Sequence, residues 1–196
     1  MNPHDNIPAV YRSATAAERR KGSQWYLTAQ SQARRLAARY ELPLSTSVGV
    51  IAALSPGLEW LANLVDAERL IQAFMADDEP PIVGVYGRRN RDKALAILGG
   101  NDPADILGGL KVRSFYTNIL QPNNPDPVTV DRHAYCLAHG IRSERSGSAS
   151  KDVYLTPARY RETAEVYREI SRELGLLPNQ LQAITWLVWK RLGETK

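Results

Sequence analysis

The chain has 196 residues, 43% of them hydrophobic, which suits one domain with a sizeable core. Its net charge of +4 suits a polyanionic partner without requiring one, and its one cysteine, Cys136, excludes an internal disulfide and a cysteine-rich metal site. No apolar run approaches the roughly 18 residues of a membrane span, and the first residues lack a basic-then-apolar signal pattern. We therefore expect a cytoplasmic monomer with no membrane partner.

The first forty residues predict an extended arm followed by a helix. Residues 1–12 are polar and carry prolines, a composition typical of an arm. Thr15 and Glu18 have the spacing of a capping box, and the helix they open extends to Tyr40 with a break at Gly22. Its basic residues are expected to form a solvated face, with a DNA-phosphate face as the alternative. They are Arg19, Arg20, Lys21, Arg34, Arg35 and Arg39.

The segment after Pro43 is apolar on all sides from Val48 to Leu54, which fits a buried helix or a buried strand. A Ser-Pro-Gly turn at residues 55–57 ends it. An amphipathic helix is then expected over residues 58–76, with its apolar side chains facing the core. These are Leu61, Leu64, Val65, Leu70, Ile71 and Phe74.

Residues 107–140 contain two helical runs separated by a loop. The loop, residues 121–127, holds three prolines and two asparagines and is not helical. The β-branched residues 128–130 then lead to Asp131, and the helical run that follows ends at Gly140. Asp131 is expected to cap this helix, and capping alone is one interpretation of the residue.

The C-terminal part predicts a polar, flexible loop at residues 143–150. Two helices follow, over residues 158–174 and 179–192, the first of them opened by Thr156 as its cap. No internal repeat and no ladder of strands is visible. The sequence therefore predicts an all-α, single-domain fold.

Four segments, in order over roughly residues 45–140, resemble the helix-hairpin-helix DNA glycosylases of the endonuclease-III-like group. Residues 107–114 lie where the family has a hairpin of the form Leu-Pro-Gly-Val-Gly-x-Lys-Thr, and residues 130–133 match its Val-Asp-x-His segment. Asp131 follows Arg113 by 18 residues, which is the family's separation between the hairpin lysine and the catalytic aspartate. Residues 51–55 and 86–98 are similar to two upstream family segments.

The resemblance implies an all-α fold with a helix-hairpin-helix at about residues 104–120, and double-stranded DNA with a flipped nucleotide as partner. It implies that Asp131 is the catalytic residue. Arg113 stands at the family's lysine position, and a guanidinium cannot form a Schiff base, so the enzyme is expected to be monofunctional. The iron–sulfur cluster of many members needs four cysteines, so it is expected to be absent, and no cofactor is expected.

The resemblance also implies roles for residues around Asp131 and around the turns. Supporting roles fall to Arg113, Tyr135 and His133, of which Arg113 holds a phosphate or pairs with Asp131 and Tyr135 hydrogen-bonds to it. The expected base pocket is formed by Ser55, Trp60, Asn63 and Tyr116. The expected contacts with DNA phosphates are Gly109, Lys111, Arg113, Arg88 and Arg89. The hairpin departs from the family at Gly108 and at Lys111, which replace its proline and its second glycine.

Three functions are therefore open. The first is a monofunctional glycosylase that removes a damaged or modified base. The second is a base-modifying enzyme, because the small size and altered hairpin are similar to phage members near the alpha-glutamyl/putrescinyl thymine pyrophosphorylases. The third is a helix-hairpin-helix module that binds DNA without catalysis. The expected location is the cytoplasm of a bacterium or of a phage-infected host cell.

Overall fold

The computed structural model describes residues 2–141 and 153–194, which form helices and turns without a strand among them. In chain order the helices are α1 (Pro3–Arg12), α2 (Ala16–Ser23), α3 (Trp25–Arg39), α4 (Leu44–Leu54), α5 (Trp60–Met75), α6 (Arg88–Leu98), α7 (Pro103–Ile106), α8 (Leu110–Leu120), α9 (Arg132–His139), α10 (Pro157–Glu173) and α11 (Pro178–Glu194). The all-α class is confirmed. The loop expected at residues 143–150 lies outside the described residues.

The chain divides into two compact units, where its length had suggested one domain. The terminal unit combines Met1–Leu27 with Gln121–Lys196, and the central unit is Thr28–Leu120. Helix α3 continues across the first boundary, so no linker rich in proline or glycine marks it. Because both ends of the chain contribute to one unit, sequence order does not reveal the division.

Helix α4 is the centre of the central unit. Residues 47–54 are all buried, because the helix is apolar on all sides and packs against α5, α6, α7 and α8. The Ser47 hydroxyl donates to the carbonyl oxygen of Ala33 at 3.0 Å. Gly49 permits the close approach of α7, since a Cβ there would lie 2.8 Å from Cγ of Pro103. Of the two alternatives for residues 48–54, the helix is correct.

Helix α11 is the centre of the terminal unit and packs against α1, α2, α9 and α10. Its contact with α2 depends on Gly22, where a Cβ would lie 2.6 Å from Cα of Ile184. The hydroxyl oxygens of Tyr167 on α10 and Thr185 on α11 lie 3.3 Å apart in the core. Burial raises the pKa of Tyr167, so this phenol stays neutral.

Residues 3–12 form helix α1, so the expectation of an extended arm is wrong. The Asn2 side chain accepts a hydrogen bond from the N–H of His4 at 3.1 Å, and Pro3 occupies the first helical position, where an N–H would have no partner. Pro8 removes one N–H inside the helix. The helix forms nevertheless, because it buries Ile7 completely.

Helix α5 buries only two of the six apolar residues that were expected to face the core. Its buried residues are Asn63, Ala67, Leu70 and Ile71. Leu61 and Val65 stay 71% and 56% exposed. The expected stripe is therefore correct at Leu70 and Ile71, whereas the first turns of the helix bury Asn63 and Ala67 in place of Leu61 and Val65.

Candidate functional site

Asp131 lies at the N-terminus of α9, in the terminal unit. Its backbone is extended, with φ −92° and ψ −179°, and its Oδ1 accepts a hydrogen bond from the N–H of Ala134 at 2.7 Å. The carboxylate therefore caps the helix, as expected, and lies at the positive end of the helix dipole. The side chain is half-buried, and its Oδ2 makes no hydrogen bond to a residue that the structure describes. One carboxylate oxygen thus remains for an incoming group.

The backbone before Asp131 is buried and held by Tyr160 of α10. Val128, Thr129 and Val130 are all buried. The Tyr160 hydroxyl donates to the carbonyl oxygen of Val128 at 2.6 Å and lies 3.4 Å from the N–H of Val130, which donates to it. One phenol therefore fixes the chain on both sides of Thr129. This contact had no signal in the sequence, because Tyr160 and Val128 lie 32 positions apart.

Tyr135 does not support Asp131 in the expected way. Its buried ring packs against His139, with ring centroids 4.3 Å apart, and the guanidinium of Arg159 lies 5.9 Å from its centroid. No hydrogen bond joins Tyr135 to the Asp131 side chain among the described residues, because the tyrosine one turn along α9 is rotated towards His139. Burial lowers the pKa of His139, and the charge of Arg159 acts in the same direction. His133, the other expected supporting residue, is half-buried on α9.

Helices α7 and α8 occupy the place expected for the hairpin, in the central unit. Gly109 in the turn between them has a φ of +79°, and a Cβ there would meet no atom within 4 Å. Arg113 is exposed, and its Nε donates to the carbonyl oxygen of Leu107 at 2.7 Å. Lys111 is half-buried in the first turn of α8. The turn therefore presents exposed glycine backbone, with Arg113 folded back across it.

Lys93 of α6 also lies at this turn. Its Nζ is 3.7 Å from the position that a Cβ on Gly108 would occupy. The sequence analysis gave this lysine no role, because nothing in a helical basic residue indicates which turn its side chain approaches. The structure therefore adds a third basic side chain to the hairpin beside Lys111 and Arg113.

The residues expected to form a base pocket are mostly engaged in structural contacts. Asn63 is only 1% exposed, and its Nδ2 donates to the carbonyl oxygen of Ile51 at 3.0 Å. It therefore satisfies the C-terminal end of α4 and does not line an open pocket in this structure. The Ser55 hydroxyl likewise donates to the carbonyl oxygen of Ala52 at 2.9 Å.

Trp60 and Tyr116 remain partly accessible in the central unit. The Trp60 Nε1–H donates to Oε1 of Gln32 at 2.8 Å, and its ring meets Phe115 edge-on with centroids 6.3 Å apart. Burial raises the pKa of the Tyr116 phenol, and the charge of Asp102 adds to this effect. The Trp60 ring is therefore fixed in position, and neither aromatic side chain is fully exposed to solvent.

Helix α6 begins with Arg88 and Arg89, which are both exposed. Gly87 opens this helix with a φ of +55°, and no side chain caps it. Neither arginine forms an ion pair with an acid in the described part of the chain. Both guanidinium groups are therefore available to an anionic partner.

A family model described as a family of unknown function, DUF7178, matches residues 2–192. The chain belongs to this family. No curated protein and no solved structure matches it. The match to DUF7178 covers both compact units, but it brings no activity with it.

Two further features of this DUF7178 chain concern metal binding and membrane spanning. Within residues 2–141 and 153–194, no three His, Cys, Asp or Glu side chains are grouped so as to hold a metal ion. None of the helices in the described ranges is long and apolar enough to span a bilayer. The candidate residues fall into two groups. Asp131 and its neighbours belong to the terminal unit, whereas the hairpin, the arginines at the start of α6 and Trp60 belong to the central unit.

Proposed function

We propose that this protein binds double-stranded DNA and hydrolyses the N-glycosidic bond of a modified or damaged base, with Asp131 as the catalytic carboxylate. The observation that carries the proposal is the hydrogen bonding of the two carboxylate oxygens of this side chain. Its Oδ1 is held by the Ala134 N–H, while its Oδ2 has no hydrogen bond among the described residues. A carboxylate that is held in position through one oxygen, and whose other oxygen has no hydrogen bond, is suited to act on a reacting group.

The chemistry needs little more than this carboxylate and a water molecule. As the bond from sugar C1′ to the base breaks, its electron pair leaves with the base and positive charge develops on the sugar. The Asp131 carboxylate stabilises that charge, and Oδ2 accepts a proton from the water that adds to C1′. The base must first leave the stack, which costs a few kcal/mol. Contacts with the DNA backbone have to supply this energy.

The central unit offers groups for those contacts. The Gly108–Gly109 turn exposes its backbone, and Lys93 and Lys111 bring positive charge to it. Arg88 and Arg89 lie exposed at the start of α6. Contacts of lysine and arginine with phosphates are independent of base sequence and weaken as salt is raised. We therefore expect salt-dependent binding to duplex DNA of any sequence.

A second candidate is a DNA-binding protein without catalysis. The capping bond from the Ala134 N–H favours it, because that bond alone explains an aspartate at position 131. The buried Asn63 and the fixed Trp60 also supply less of a base pocket than a glycosylase of this kind is expected to have. In this case Asp131 has a role in stability only.

The deciding experiment incubates the protein with duplexes that each carry one modified base, followed by mass spectrometry of released and retained bases. We expect release of a free base by the wild type, loss of release in Asp131→Asn, and unchanged DNA binding in that variant. Asp126→Asn is the matched control, because it removes an exposed carboxylate from the preceding loop. A base that stays in the DNA with an altered mass indicates a base-modifying enzyme. Binding with no chemical change on any duplex supports the non-catalytic protein.

The same reaction tests the interpretation of Arg113. An arginine does not form a Schiff base with the sugar, so borohydride should trap no covalent adduct between wild-type protein and DNA. Strand cleavage by β-elimination should also be absent. A trapped adduct would show that another amine attacks the sugar, and the monofunctional mechanism would be wrong.

A further inference from the structure

Lys93 is a half-buried lysine whose ammonium lies against backbone and not against an acid. Its Nζ is 3.7 Å from the Cβ position of Gly108, and no other heavy atom lies within 4 Å of that position apart from Gly108 itself and its chain neighbours. Gly108 and Gly109 are both exposed. A side chain larger than hydrogen at Gly108 would come between the ammonium and the turn. The absence of side chains therefore leaves one open surface shared by the ammonium and the glycine backbone.

The ammonium has no counter-charge among the described residues. Two acids belong to the neighbouring α7 region, but Asp102 caps that helix through the N–H of Ala104, and Asp105 is exposed without an ion pair. The other basic residue in the middle of α6, Arg91, lies 3.8 Å from the carboxylate of Asp92. A lysine ammonium with no acid beside it gains a favourable charge interaction when an anion comes to lie at the same place.

The positive charges around the turn are not equivalent. The Nε of Arg113 is occupied by the carbonyl oxygen of Leu107. Lys93 has no hydrogen bond to a described residue, and a lysine ammonium offers three donors from a single point charge. Lys93 is therefore a basic side chain at this turn with all of its donors open to a ligand oxygen.

We propose that Lys93 binds a phosphate group that lies against the Gly108–Gly109 turn, and that its charge anchors this turn to a sugar–phosphate chain. The inference deepens the proposed function, because the phosphate is then one of the DNA backbone. It also identifies a binding residue outside the hairpin sequence, contributed by a separate helix. The same chemistry would accept a free phosphate ion, so the test needs an arm for each source.

The first arm measures binding of a short duplex as a function of salt for wild type, Lys93→Gln, Lys93→Arg and Arg161→Gln. Each phosphate contact contributes about 0.9 to the slope of log K against log salt. We expect the slope of Lys93→Gln to fall by about 1, equally for duplexes of different sequence. Lys93→Arg should keep the wild-type slope. Arg161→Gln is the matched control, because Arg161 is exposed on α10 and has no ion pair in the described ranges.

The second arm does not involve DNA. Inorganic phosphate is titrated into labelled protein, and the amide signals of Gly108 and Gly109 are followed by NMR. We expect these signals to shift in the wild type and in Arg161→Gln, and to stay unmoved in Lys93→Gln. Thermal unfolding of Lys93→Gln establishes that the variant is folded.

The outcomes separate the inference from the proposed function. A Lys93→Gln variant with the wild-type salt slope and the wild-type glycine shifts overturns the inference and leaves DNA binding standing. Wild-type protein that shows no binding to duplex DNA, yet shows glycine shifts with phosphate that Lys93→Gln abolishes, overturns the proposed function and supports the phosphate site. If Lys93→Gln lowers the salt slope and abolishes the glycine shifts, the result supports the phosphate site and the DNA-binding part of the proposed function.

Discussion

The Nε of Arg113 donates a hydrogen bond of 2.7 Å to the carbonyl oxygen of Leu107, across the Gly108–Gly109 turn. The backbone N–H of the same residue donates to the carbonyl oxygen of Gly109 at 3.1 Å. One arginine thus closes the turn through its side chain and continues α8 through its backbone. Arg113 therefore has a structural role that does not depend on DNA binding.

Substitution of Arg113 tests this role. Arg113→Gln should lower the free energy of unfolding by about 1 kcal/mol, the usual contribution of such a hydrogen bond when the side chain is exposed. Arg113→Lys should lose nearly as much, because lysine keeps the charge but has no donor at the Nε position. Urea denaturation measures both, with Arg34→Gln, at an exposed position on α3, as the control that changes by less than about 0.5 kcal/mol. Full stability in Arg113→Lys would show that charge, and not the bond, matters.

The features that were predictable from the sequence are those with local causes. Thr15 and Glu18 form the capping box expected from their spacing, with the Glu18 N–H 3.2 Å from the Thr15 hydroxyl. Thr156 caps α10 through the N–H of Arg159 at 3.3 Å. Asp131 caps α9 in the same way. Each cap joins residues three positions apart, so the pattern and the contact lie in the same short segment.

The features that were not predictable depend on partners far away in the chain. The hydrogen bond from Trp60 to Gln32 spans 28 positions, and it fixes a side chain that was expected to line a base pocket. Asn63 is buried because Ile51, 12 positions earlier, leaves a carbonyl oxygen at the end of α4. Polar residue types indicate that a partner exists but not which one. For this reason the order of the helices was predictable, whereas the contacts of the expected base-pocket residues were not.

Gly22→Ala tests the packing of α2 against α11. Alanine normally stabilises a helix relative to glycine by up to about 1 kcal/mol. Here its Cβ would lie 2.6 Å from Cα and 2.7 Å from the backbone nitrogen of Ile184, atoms that cannot rotate away. Overpacking of this kind costs about 1–3 kcal/mol, so we expect net destabilisation in thermal or urea unfolding.

Gly108→Ala is the matched control for this prediction. A Cβ at Gly108 would meet Nζ of Lys93 at 3.7 Å, an ordinary contact with the end of a flexible side chain. Its stability should change by less than about 0.5 kcal/mol. If Gly22→Ala were as stable as the wild type, the helices could separate without cost and the close approach would not be needed.

The Glu18–Arg191 pair predicts a specific dependence of stability on pH. The Arg191 Nε donates to Oε1 of Glu18 at 2.7 Å, and this hydrogen bond lowers the pKa of Glu18 below its ordinary value of 4.5, with burial acting in the opposite direction. Because the folded state then binds this proton less readily than the unfolded state, Glu18 contributes stability above the unfolded pKa. That contribution is lost as the pH falls through the lower folded pKa.

Arg191→Gln should therefore destabilise the protein most at neutral pH, and its difference from the wild type should shrink as the pH is lowered below 4.5. Urea unfolding of both proteins between neutral and acidic pH measures this difference. Arg172→Gln is the control, since Arg172 and Glu165 form an exposed pair at 3.6 Å that contributes little. A difference that stays constant with pH would mean that Arg191 acts through packing.

Two substitutions at Asp131 separate its capping role from its proposed catalytic role. Asparagine is as good a cap as aspartate, so Asp131→Asn should keep most of the stability of α9, whereas Asp131→Ala should lose about 1 kcal/mol. Both lack the carboxylate, so both should lose base release. Thr156→Ala is the matched control, because it removes the cap of α10 at a similar cost and leaves the carboxylate in place. Stability follows from urea unfolding, and base release follows from mass spectrometry. If release survived in Asp131→Asn and fell in both alanine variants, activity would follow stability, and Asp131 would be a cap and nothing more.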